Sequence, residues 1–384
     1  MPRLVPRVRT AEEVQGVASE QETAAMRRAV ELAAYALGST SPNPTVGAVV
    51  LDPAGHPVGE GYTSPPGGPH AEIHALSMAG EHARGGTLVT TLEPCNHTGR
   101  TGPCAQAIIA AGIARVVVGV VDPNPEASRG AQTLRDAGID VEIGVEEQIA
   151  ARSNEAWLAA IRSKRPFVTW KYAASLDGRA AAADGSSQWI TSGEARADGH
   201  RLRAQSDAVM VGSGTILADD SHLTVRYGGK LAEAQPLRVV VDTHARTPLD
   251  ANVVDSSART LIACGDDADP DAVERLRAVA DVVVLPRSVD GRVDLAVLLK
   301  ELYRRDVRSL LLEGGPALAG AFVDDRCIDR VVAYLAPALI GGDGTPALAG
   351  MGALSIEKAW RLQIDDVRRI GPDLRIESRP LGDR

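Results

Sequence analysis

Four residues in the first half of the chain could together form a catalytic metal site. His70 and Glu72 stand two apart in PHAEIHAL, and Cys95 and Cys104 enclose eight residues in LEPCNHTGRTGPC. One imidazole and two thiolates would give zinc three protein ligands and leave a fourth position for water, as in catalytic zinc sites. Zinc lowers the pKa of such a water to about 7. Glu72, close to the metal but not on it, could carry the proton from water to a leaving amine.

The surrounding elements would bring these residues to one edge of a sheet. The chain alternates between helix and strand in the segments HAEIHALSMAGEHA, GTLVTTLEP, GPCAQAIIAAGI, ARVVVGVVDP, RGAQTLRDAGI and DVEIGV, after a predicted hairpin in TVGAVVLDPAGHPVGEGYTS. Strands joined by helical crossovers predict an α/β layered fold with a largely parallel sheet. Cys95 would then lie at a strand end, and His70 and Cys104 at helix starts, where the helix dipole favours a thiolate.

Simpler interpretations of these residues stay open at this point. Two nearby cysteines are often ordinary buried thiols, and His74 on the same predicted helix could be named as readily as His70. The signature of zinc deaminases is H-x-E followed by P-C-x-x-C. The chain matches it except for the last spacing, so the motifs in combination favour a metal.

Two glycine turns in the second half could hold a phosphate. DAVMVGSGTILADD and RSLLLEGGPALAGAF each place glycines between an apolar strand and a predicted helix. Glycines there let backbone N–H groups approach an anion closely, although the same pattern is often only a tight turn. No GxGxxG motif precedes a helix, so a Rossmann dinucleotide site is not supported.

Length and composition predict two domains and a cytoplasmic protein. With 384 residues, the chain divides into a predicted leader over 1–22 and domains over 23–165 and 166–384, the second beginning at Pro166 after a basic helix end. The net charge of −9 argues against nonspecific nucleic-acid binding. The N-terminus lacks the apolar core of a signal peptide, the apolar runs are too short for membrane helices, and the four cysteines do not form a disulfide pattern.

Several segments resemble the deaminase half of the bifunctional riboflavin-biosynthesis deaminase/reductase family: NPTVGAVV, GPHAEIHAL, TLEPCNHTGRTGPC and VVDPNPEASRGAQTLRDAGIDVEIG. The chain has Asn96 where the family usually has serine, and Gly102 in place of a proline. The resemblance implies a cytidine-deaminase-like α/β/α sandwich in which zinc is held by His70, Cys95 and Cys104 and Glu72 shuttles the proton. It also implies that substrate is bound by Asn43, His97 and Arg100.

The remaining motifs resemble the reductase half of the same family, which is similar in fold to dihydrofolate reductase and takes hydride from NADPH. They are WKYAASLDGRAA, SQWITS, LRAQSDAVMVGSGTILADD, LTVR, EGGPALAGAF and DVRRIGPDL. The implied cofactor-binding residues are Ala173, Trp189, Thr215, Asp219, Thr243, Gly315, Pro316, Ala317, Leu318, Ala319, Gly320 and Ala321. The implied substrate-binding residues are Ser187, Arg203, Leu223, Arg226 and Glu313. Asp219 is also the candidate for proton handling during reduction, and the two arginines suit a phosphate.

The function that the resemblance implies is a sequence of two reactions. Water would replace the C2 amine of 2,5-diamino-6-(5-phosphoribosylamino)pyrimidin-4(3H)-one, and NADPH would then reduce C1′ of the ribosylamino group. We expect a small-molecule substrate, no nucleic-acid or membrane partner, and a homo-oligomer. The rivals are a cytidine or tRNA-base deaminase with a C-terminal binding domain, and a zinc-stabilised scaffold without activity. The scarcity of aromatic residues, 3% of the chain, counts against nucleic-acid binding.

Overall fold

The computed structural model describes residues 18–96, 102–125 and 127–381. The chain forms two compact units, Met1–Leu158 and Ala159–Arg384. This division falls inside a helix, whereas the predicted boundary lies after it. The part of the predicted leader over 1–17 lies outside the described residues, and a helix begins at Glu20, capped by Ser19. Among the described residues, no helix has both the length and the apolar character needed to cross a membrane.

The first unit is one five-stranded sheet with helices packed on it. Its strands are β1 (Gly47–Leu51), β2 (Pro57–Tyr62), β3 (Thr87–Leu92), β4 (Arg115–Val120) and β5 (Asp140–Ile143). Its helices are α1 (Glu20–Ala34), α2 (Ala71–Ala79), α3 (Cys104–Ala110), α4 (Gly130–Asp136) and α5 (Glu147–Ser153), followed by α6 (Glu155–Ser163), which contains the division between the units.

The sheet of the first unit contains the predicted hairpin and the predicted parallel strands, with β1 as its one reversed strand. The strand order is β2-β1-β3-β4-β5, with β1 antiparallel to both neighbours and β3, β4 and β5 mutually parallel. The cause is the hairpin: a short turn can join β1 only to an antiparallel β2, whereas the later strands have crossover helices between them.

Hydrogen bonds bring four strand ends to one edge of this sheet. The N–H of Gly47 donates to Thr91 Oγ1 at 3.2 Å, and the N–H of Val46 donates to Thr63 Oγ1 at 3.0 Å. The N–H of Glu93 donates to the carbonyl of Val120 at 2.8 Å. The start of β1 therefore lies beside the ends of β2, β3 and β4.

Helix α2 packs very closely on β2 because the strand carries glycine at the contact. A Cβ atom at Gly61 would lie 2.4 Å from the carbonyl oxygen of Ala71, and one at Gly59 would lie 2.1 Å from that of Ala75. Ala71 and Ala75 are fully buried in the contact. Because the strand carries no side chains at these two positions, the backbone of α2 lies directly on it, which fixes the position of the residues at the start of α2.

The second unit is a nine-stranded sheet of order β13-β12-β11-β8-β14-β6-β15-β18-β17, parallel from β13 to β15 and antiparallel beyond. Its strands are β6 (Phe167–Ser175), β8 (Ala208–Gly212), β11 (Leu237–Val241), β12 (Thr260–Gly265), β13 (Asp281–Leu285), β14 (Ser309–Leu312), β15 (Arg330–Ala336), β17 (Leu362–Ile370) and β18 (Asp373–Pro380). Short pairs are formed by β7 (Arg179–Ala181), β9 (Arg226–Tyr227), β10 (Lys230–Leu231) and β16 (Thr345–Pro346). The helices are α7 (Gly193–Ala204), α8 (Ser213–Asp219), α9 (Pro270–Arg277), α10 (Leu295–Arg304) and α11 (Pro316–Asp324).

Candidate functional site

Three metal-binding side chains meet at the edge of the first sheet. The ligand atoms of His70, Cys95 and Cys104 all lie within 4.8 Å of one another. His70 Nδ1 is 3.2 Å from Cys104 Sγ and 3.5 Å from Cys95 Sγ. Both cysteines are buried free thiols, and His70 is half-buried. One nitrogen and two sulfurs gathered in this way fit zinc, which takes such donors in a tetrahedral arrangement.

Each of the three residues is placed by the end of a helix or strand. His70 is the residue before the first turn of α2, and Cys104 is the first residue of α3. Cys95 follows β3, and its carbonyl accepts the N–H of Ala105 at 3.2 Å. The N–H of Cys104 points at Cys95 Sγ, 3.4 Å away. The first residue of α3 therefore directs one backbone donor at the sulfur of Cys95, which favours a thiolate there.

The two thiols and the imidazole perturb one another. The hydrogen bond from Cys104 lowers the pKa of Cys95 to about 4, because it stabilises the Cys95 thiolate. The same contact raises the pKa of Cys104. The hydrogen bond to Cys95 raises the pKa of His70. One sulfur is thus already disposed to be negative, as a zinc ligand must be.

Glu72 lies beside the cluster without belonging to it. The residue is in the first turn of α2 and is only 4% exposed. Burial raises the pKa of Glu72 to about 7, because a carboxylate loses its hydration there. A carboxyl group in this state can both accept and donate a proton near neutral pH.

The residues predicted to bind the pyrimidine substrate are only partly described. Asn43 is half-buried in the loop before β1, and its N–H donates to the carbonyl of Thr40 at 2.8 Å. That loop is held by Trp157, whose Nε1–H donates to the carbonyl of Pro42 at 3.0 Å. Since the loop precedes β1, Asn43 lies toward the sheet edge that carries Cys95. His97 and Arg100 lie outside the described residues.

The two glycine turns of the second unit lie side by side. Strands β8 and β14 are parallel neighbours, so the turns that follow them meet at the same edge. A Cβ atom at Gly315 would lie 3.4 Å from Thr215 Oγ1, and one at Gly212 would lie 3.8 Å from Leu318 Cβ. Helix α11 begins at Pro316 directly after Gly315, which leaves its first N–H groups free of side-chain caps. Such an edge suits a phosphate-bearing cofactor.

Within the predicted stretch from Gly315 to Ala321, two residues face the interior. Ala319 is fully buried in the hydrophobic core. A Cβ atom at Gly320 would lie 1.6 Å from the carbonyl oxygen of Ala349, so Gly320 packs against backbone. Pro316, Leu318 and Ala321 are half-buried and Ala317 is exposed.

Arg203 and Glu313, both predicted to contact substrate, form an ion pair. Arg203 Nε is 2.6 Å from one carboxylate oxygen of Glu313 and Nη2 is 3.0 Å from the other. Lys171 Nζ lies 3.6 Å from the same carboxylate. Burial would raise the pKa of Glu313, but the charges of Arg203 and Lys171 outweigh it and lower that pKa to about 2. Sequence reasoning missed Lys171, although a lysine in the middle of the strand sequence FVTWKYAAS is a signal.

The other residues predicted to bind substrate or cofactor in the second unit lie near the Arg203–Glu313 pair or at the surface. Arg226 Nε donates to Thr224 Oγ1 at 3.2 Å, and Arg203 Nη1 donates to the carbonyl of Thr224 at 2.9 Å. Leu223 is buried and adopts the left-handed conformation, with φ of 54°. Trp189 is 68% exposed and stacks under the guanidinium of Arg196.

The four remaining predicted residues have different surroundings. Ser187 and Ala173 are half-buried. Thr243 Oγ1 accepts the N–H of Val293 at 3.3 Å. Asp219 is the exposed last residue of α8, and partial burial of its carboxyl raises its pKa.

Two family models match the chain, one in each half. Residues 19–120 match the cytidine and deoxycytidylate deaminase zinc-binding region. Residues 166–376 match the RibD C-terminal domain. The first match contains His70, Cys95 and Cys104, and the second contains both glycine turns.

Similar proteins extend over nearly the entire chain. Riboflavin biosynthesis protein RibD of Mycobacterium tuberculosis is 47% identical, over 91% of this chain and 95% of its own length. Its counterpart in Escherichia coli is 41% identical, over 91% of this chain and 96% of its own length. The structure of Acinetobacter baumannii RibD has a TM-score of 0.85 at 36% identity, covering 94% of this chain and 99% of that one. A diaminohydroxyphosphoribosylaminopyrimidine deaminase/5-amino-6-(5-phosphoribosylamino)uracil reductase of Thermotoga maritima has a TM-score of 0.82 at 33% identity, with the same coverage.

Proposed function

The chain belongs to the RibD family of bifunctional riboflavin-biosynthesis enzymes, and we propose which of its residues carry the two reactions. It is a zinc-dependent deaminase and an NADPH-dependent reductase. The first reaction deaminates 2,5-diamino-6-(5-phosphoribosylamino)pyrimidin-4(3H)-one. The second reduces the ribosyl group to give 5-amino-6-(5-phosphoribitylamino)uracil.

The observation that carries the residue assignment is the cluster of His70, Cys95 and Cys104 within 4.8 Å. In the proposal these three residues would hold the zinc ion. Zinc, when bound, supplies a water activated for attack near neutral pH.

Glu72 moves the proton in the first reaction. Its place in the first turn of α2, two residues after His70, puts the carboxyl group beside the zinc ligands. The carboxylate accepts a proton from the attacking water and donates it to the departing amine, so that ammonia leaves. Asn43, His97 and Arg100 orient the pyrimidine and the phosphate in this proposal.

For the second reaction, the edge formed by the two glycine turns would hold NADPH. Backbone N–H groups at the start of α11 would bind its phosphates, together with the cofactor-binding residues that the resemblance implies. The ribosylamino group is held by the charged group of Arg203 and Glu313 with Ser187, Leu223 and Arg226. Asp219 stays the candidate for proton handling at the reduced carbon. NADPH supplies the hydride.

The protein works as a cytoplasmic homo-oligomer in this proposal. Support comes from β17, which ends the large sheet and has no strand on its outer side among the described residues. Its Leu362, Ile364 and Val367 are 39%, 59% and 53% exposed. An unpaired edge with exposed apolar side chains is suited to pairing with a second copy.

Product analysis with one active-site variant tests the residue assignment. Wild-type protein is incubated with the diaminopyrimidine phosphate, with and without NADPH, and the products are identified by mass spectrometry. We expect the deaminated compound alone without NADPH and the ribitylamino compound with it. The Glu72→Gln variant should produce neither from this substrate, yet should oxidise NADPH normally when given deaminated substrate. Retained deamination by that variant would exclude Glu72 as the proton carrier.

A further inference from the structure

Glu93 is a second buried carboxylate near the zinc ligands, and the reaction does not use it. The residue follows β3, stands two positions before Cys95, and is 6% exposed. One carboxylate oxygen accepts the N–H of Asp122 at 3.2 Å, and the other accepts the N–H of Ala131 at 3.0 Å. The side chain thus joins the end of β3 to the segment that leads from β4 into α4.

The need for this acceptor arises at the start of α4. The residue before the helix, Arg129, is in the left-handed conformation with φ of 78°, and its side chain makes no cap hydrogen bond. The first N–H groups of a helix need acceptors from elsewhere. Glu93 supplies one for Ala131.

Two further contacts fasten the backbone on both sides of Cys95 to the same segment. The N–H of Asn96 donates to the carbonyl of Ala127 at 3.2 Å. The carbonyl oxygen of Pro94 lies so close to Gly130 that a Cβ atom there would be 1.7 Å from it. Residues 93, 94 and 96 therefore all contact the chain at Asp122, Ala127, Gly130 and Ala131, and Cys95 is held between them.

We propose that Glu93 is a positioning residue for the zinc site, which fixes Cys95 through the strand end and α4. The inference rests on the proposed role of Cys95 as a ligand. Cys95 comes from a strand end and Cys104 from a helix start, and only rigid neighbours can keep two such sulfurs at metal-binding separation. Glu93 is not itself a ligand, but its two hydrogen bonds hold the strand end that carries Cys95 in place.

The test is the zinc affinity of the Glu93→Gln variant, measured on the full chain by competition with a chromophoric chelator. Glutamine keeps the size of the side chain but turns an N–H₂ group toward one of the two backbone N–H donors. We expect zinc to bind about tenfold more weakly. Reductase activity on deaminated substrate should stay at the wild-type level.

A matched variant separates positioning from a general loss of stability. Glu22 is in the same unit, is 7% exposed, and forms an ion pair with Arg115. Glu22→Gln should lower the thermal stability of the zinc-free protein, as Glu93→Gln should, but should leave zinc affinity unchanged. Gly130→Ala disturbs the same contact from α4, because the added methyl group must push this helix away from Pro94. It should weaken zinc binding while Glu93 stays intact.

The outcomes distinguish this inference from the proposed zinc site itself. Wild-type affinity in Glu93→Gln, or a loss no larger than in Glu22→Gln, would overturn the positioning role while leaving the ligands in place. Should one of the two variants near Cys95 fail to fold, the other still decides. Wild-type protein that binds no zinc would overturn the ligand assignment and this inference with it.

Discussion

Glu72 and Glu93 show how one residue type serves two purposes within one unit. Both carboxyl groups are buried, at 4% and 6% exposure. Burial raises the pKa of Glu72 to about 7, which suits a group that gains and loses a proton. Glu93 instead accepts two backbone N–H groups, which anchor the end of β3 to the chain around the start of α4.

The buried charge cluster around Glu313 predicts a dependence of stability on pH. The pKa of Glu313 is lowered from 4.5 to about 2, against the effect of burial, by Arg203 and Lys171. The pKa of Glu313 is lower in the folded protein than in the unfolded chain. The ionised Glu313 carboxylate therefore stabilises the fold fully above pH 4.5, and this stabilisation is lost as the pH falls toward 2. We expect Glu313→Gln to cost on the order of 1–3 kcal/mol at pH 6.

The difference between wild type and this variant should shrink as the pH falls from 6 to 3. This difference is measured by urea unfolding of the full chain, with hydrogen exchange of the β14 amides as the probe of unfolding. The control is Glu274→Gln, since Glu274 is 66% exposed and surface ion pairs contribute little. A constant difference at every pH would show that Glu313 is not charged in the folded protein.

The sequence predicted that His70, Cys95 and Cys104 belong to one site, and the structure places them together, but it predicted neither Glu93 nor Lys171 as a site residue. His70, Cys95 and Cys104 lie in short motifs whose spacing is itself a signal. Glu93 also lies in such a motif, but its purpose depends on a hydrogen bond to Ala131, which is 38 residues away. The ion pair of Lys171 with Glu313 likewise joins β6 to the end of β14. Contacts of this range follow from the fold and not from local pattern.

At the scale of elements, the contact of α2 with β2 determines where His70 and Glu72 stand. Gly61→Ala would place a methyl carbon 2.4 Å from the carbonyl oxygen of Ala71, which is backbone and cannot turn away. We expect the helix to shift, at a cost of about 1–3 kcal/mol in stability, with weaker zinc binding and slower deamination. Calorimetry, metal titration and the deaminase assay measure these effects.

The control for this prediction is Gly193→Ala at the start of α7. A Cβ atom at Gly193 would have its nearest neighbour at 3.8 Å, and alanine is the better helix former. That variant should keep both stability and zinc affinity. If Gly61→Ala and Gly193→Ala had the same stability and the same zinc affinity, the packing of α2 on β2 would not be what positions the proposed ligands.

The sequence predicted the strands that contain a continuous run of apolar residues and missed a strand that does not. The strand predicted over PFVTWKYAAS is β6, and the strands before both glycine turns are β8 and β14. Strand β17, with the sequence LQIDDVRRI, was missed because a largely exposed edge strand is polar.

At the scale of the whole molecule, each reaction has its own sheet and its own compact unit. This separation predicts that metal removal affects only one of them. Dialysis against a zinc chelator should abolish deamination, because the three ligands lose the ion that binds and activates water. Reduction of deaminated substrate by NADPH should continue at its former rate.

Parallel assays of the two activities before and after chelation, and after zinc is restored, check this expectation. Restored zinc should recover deamination in the wild type. Loss of both activities on chelation, with unfolding of the second unit, would show that zinc stabilises more than its own unit.

The outer strand of the large sheet predicts how the molecule associates. A register shift between Ile364 and Asp366 places Leu362, Ile364 and Val367 opposite Pro380, Ser378 and Ile376. These partners alternate along β18, so the three exposed apolar side chains of β17 share one face of the sheet, next to an edge without a further strand among the described residues. If this face binds a second copy, Ile364→Lys should place a charge in the interface and shift the protein toward the monomer.

Sedimentation analysis over a range of concentrations measures the shift, and the thermal stability of wild type should rise with concentration while that of the variant should not. Val289→Lys is the control, because Val289 is exposed and lies in a turn after β13, which forms the opposite edge of the sheet from β17. A wild type that is monomeric throughout, or an oligomer unaffected by Ile364→Lys, would contradict the proposal. The register shift makes this test specific: without the extra residue in β17, Val367 would point to the opposite face and no continuous apolar surface would exist.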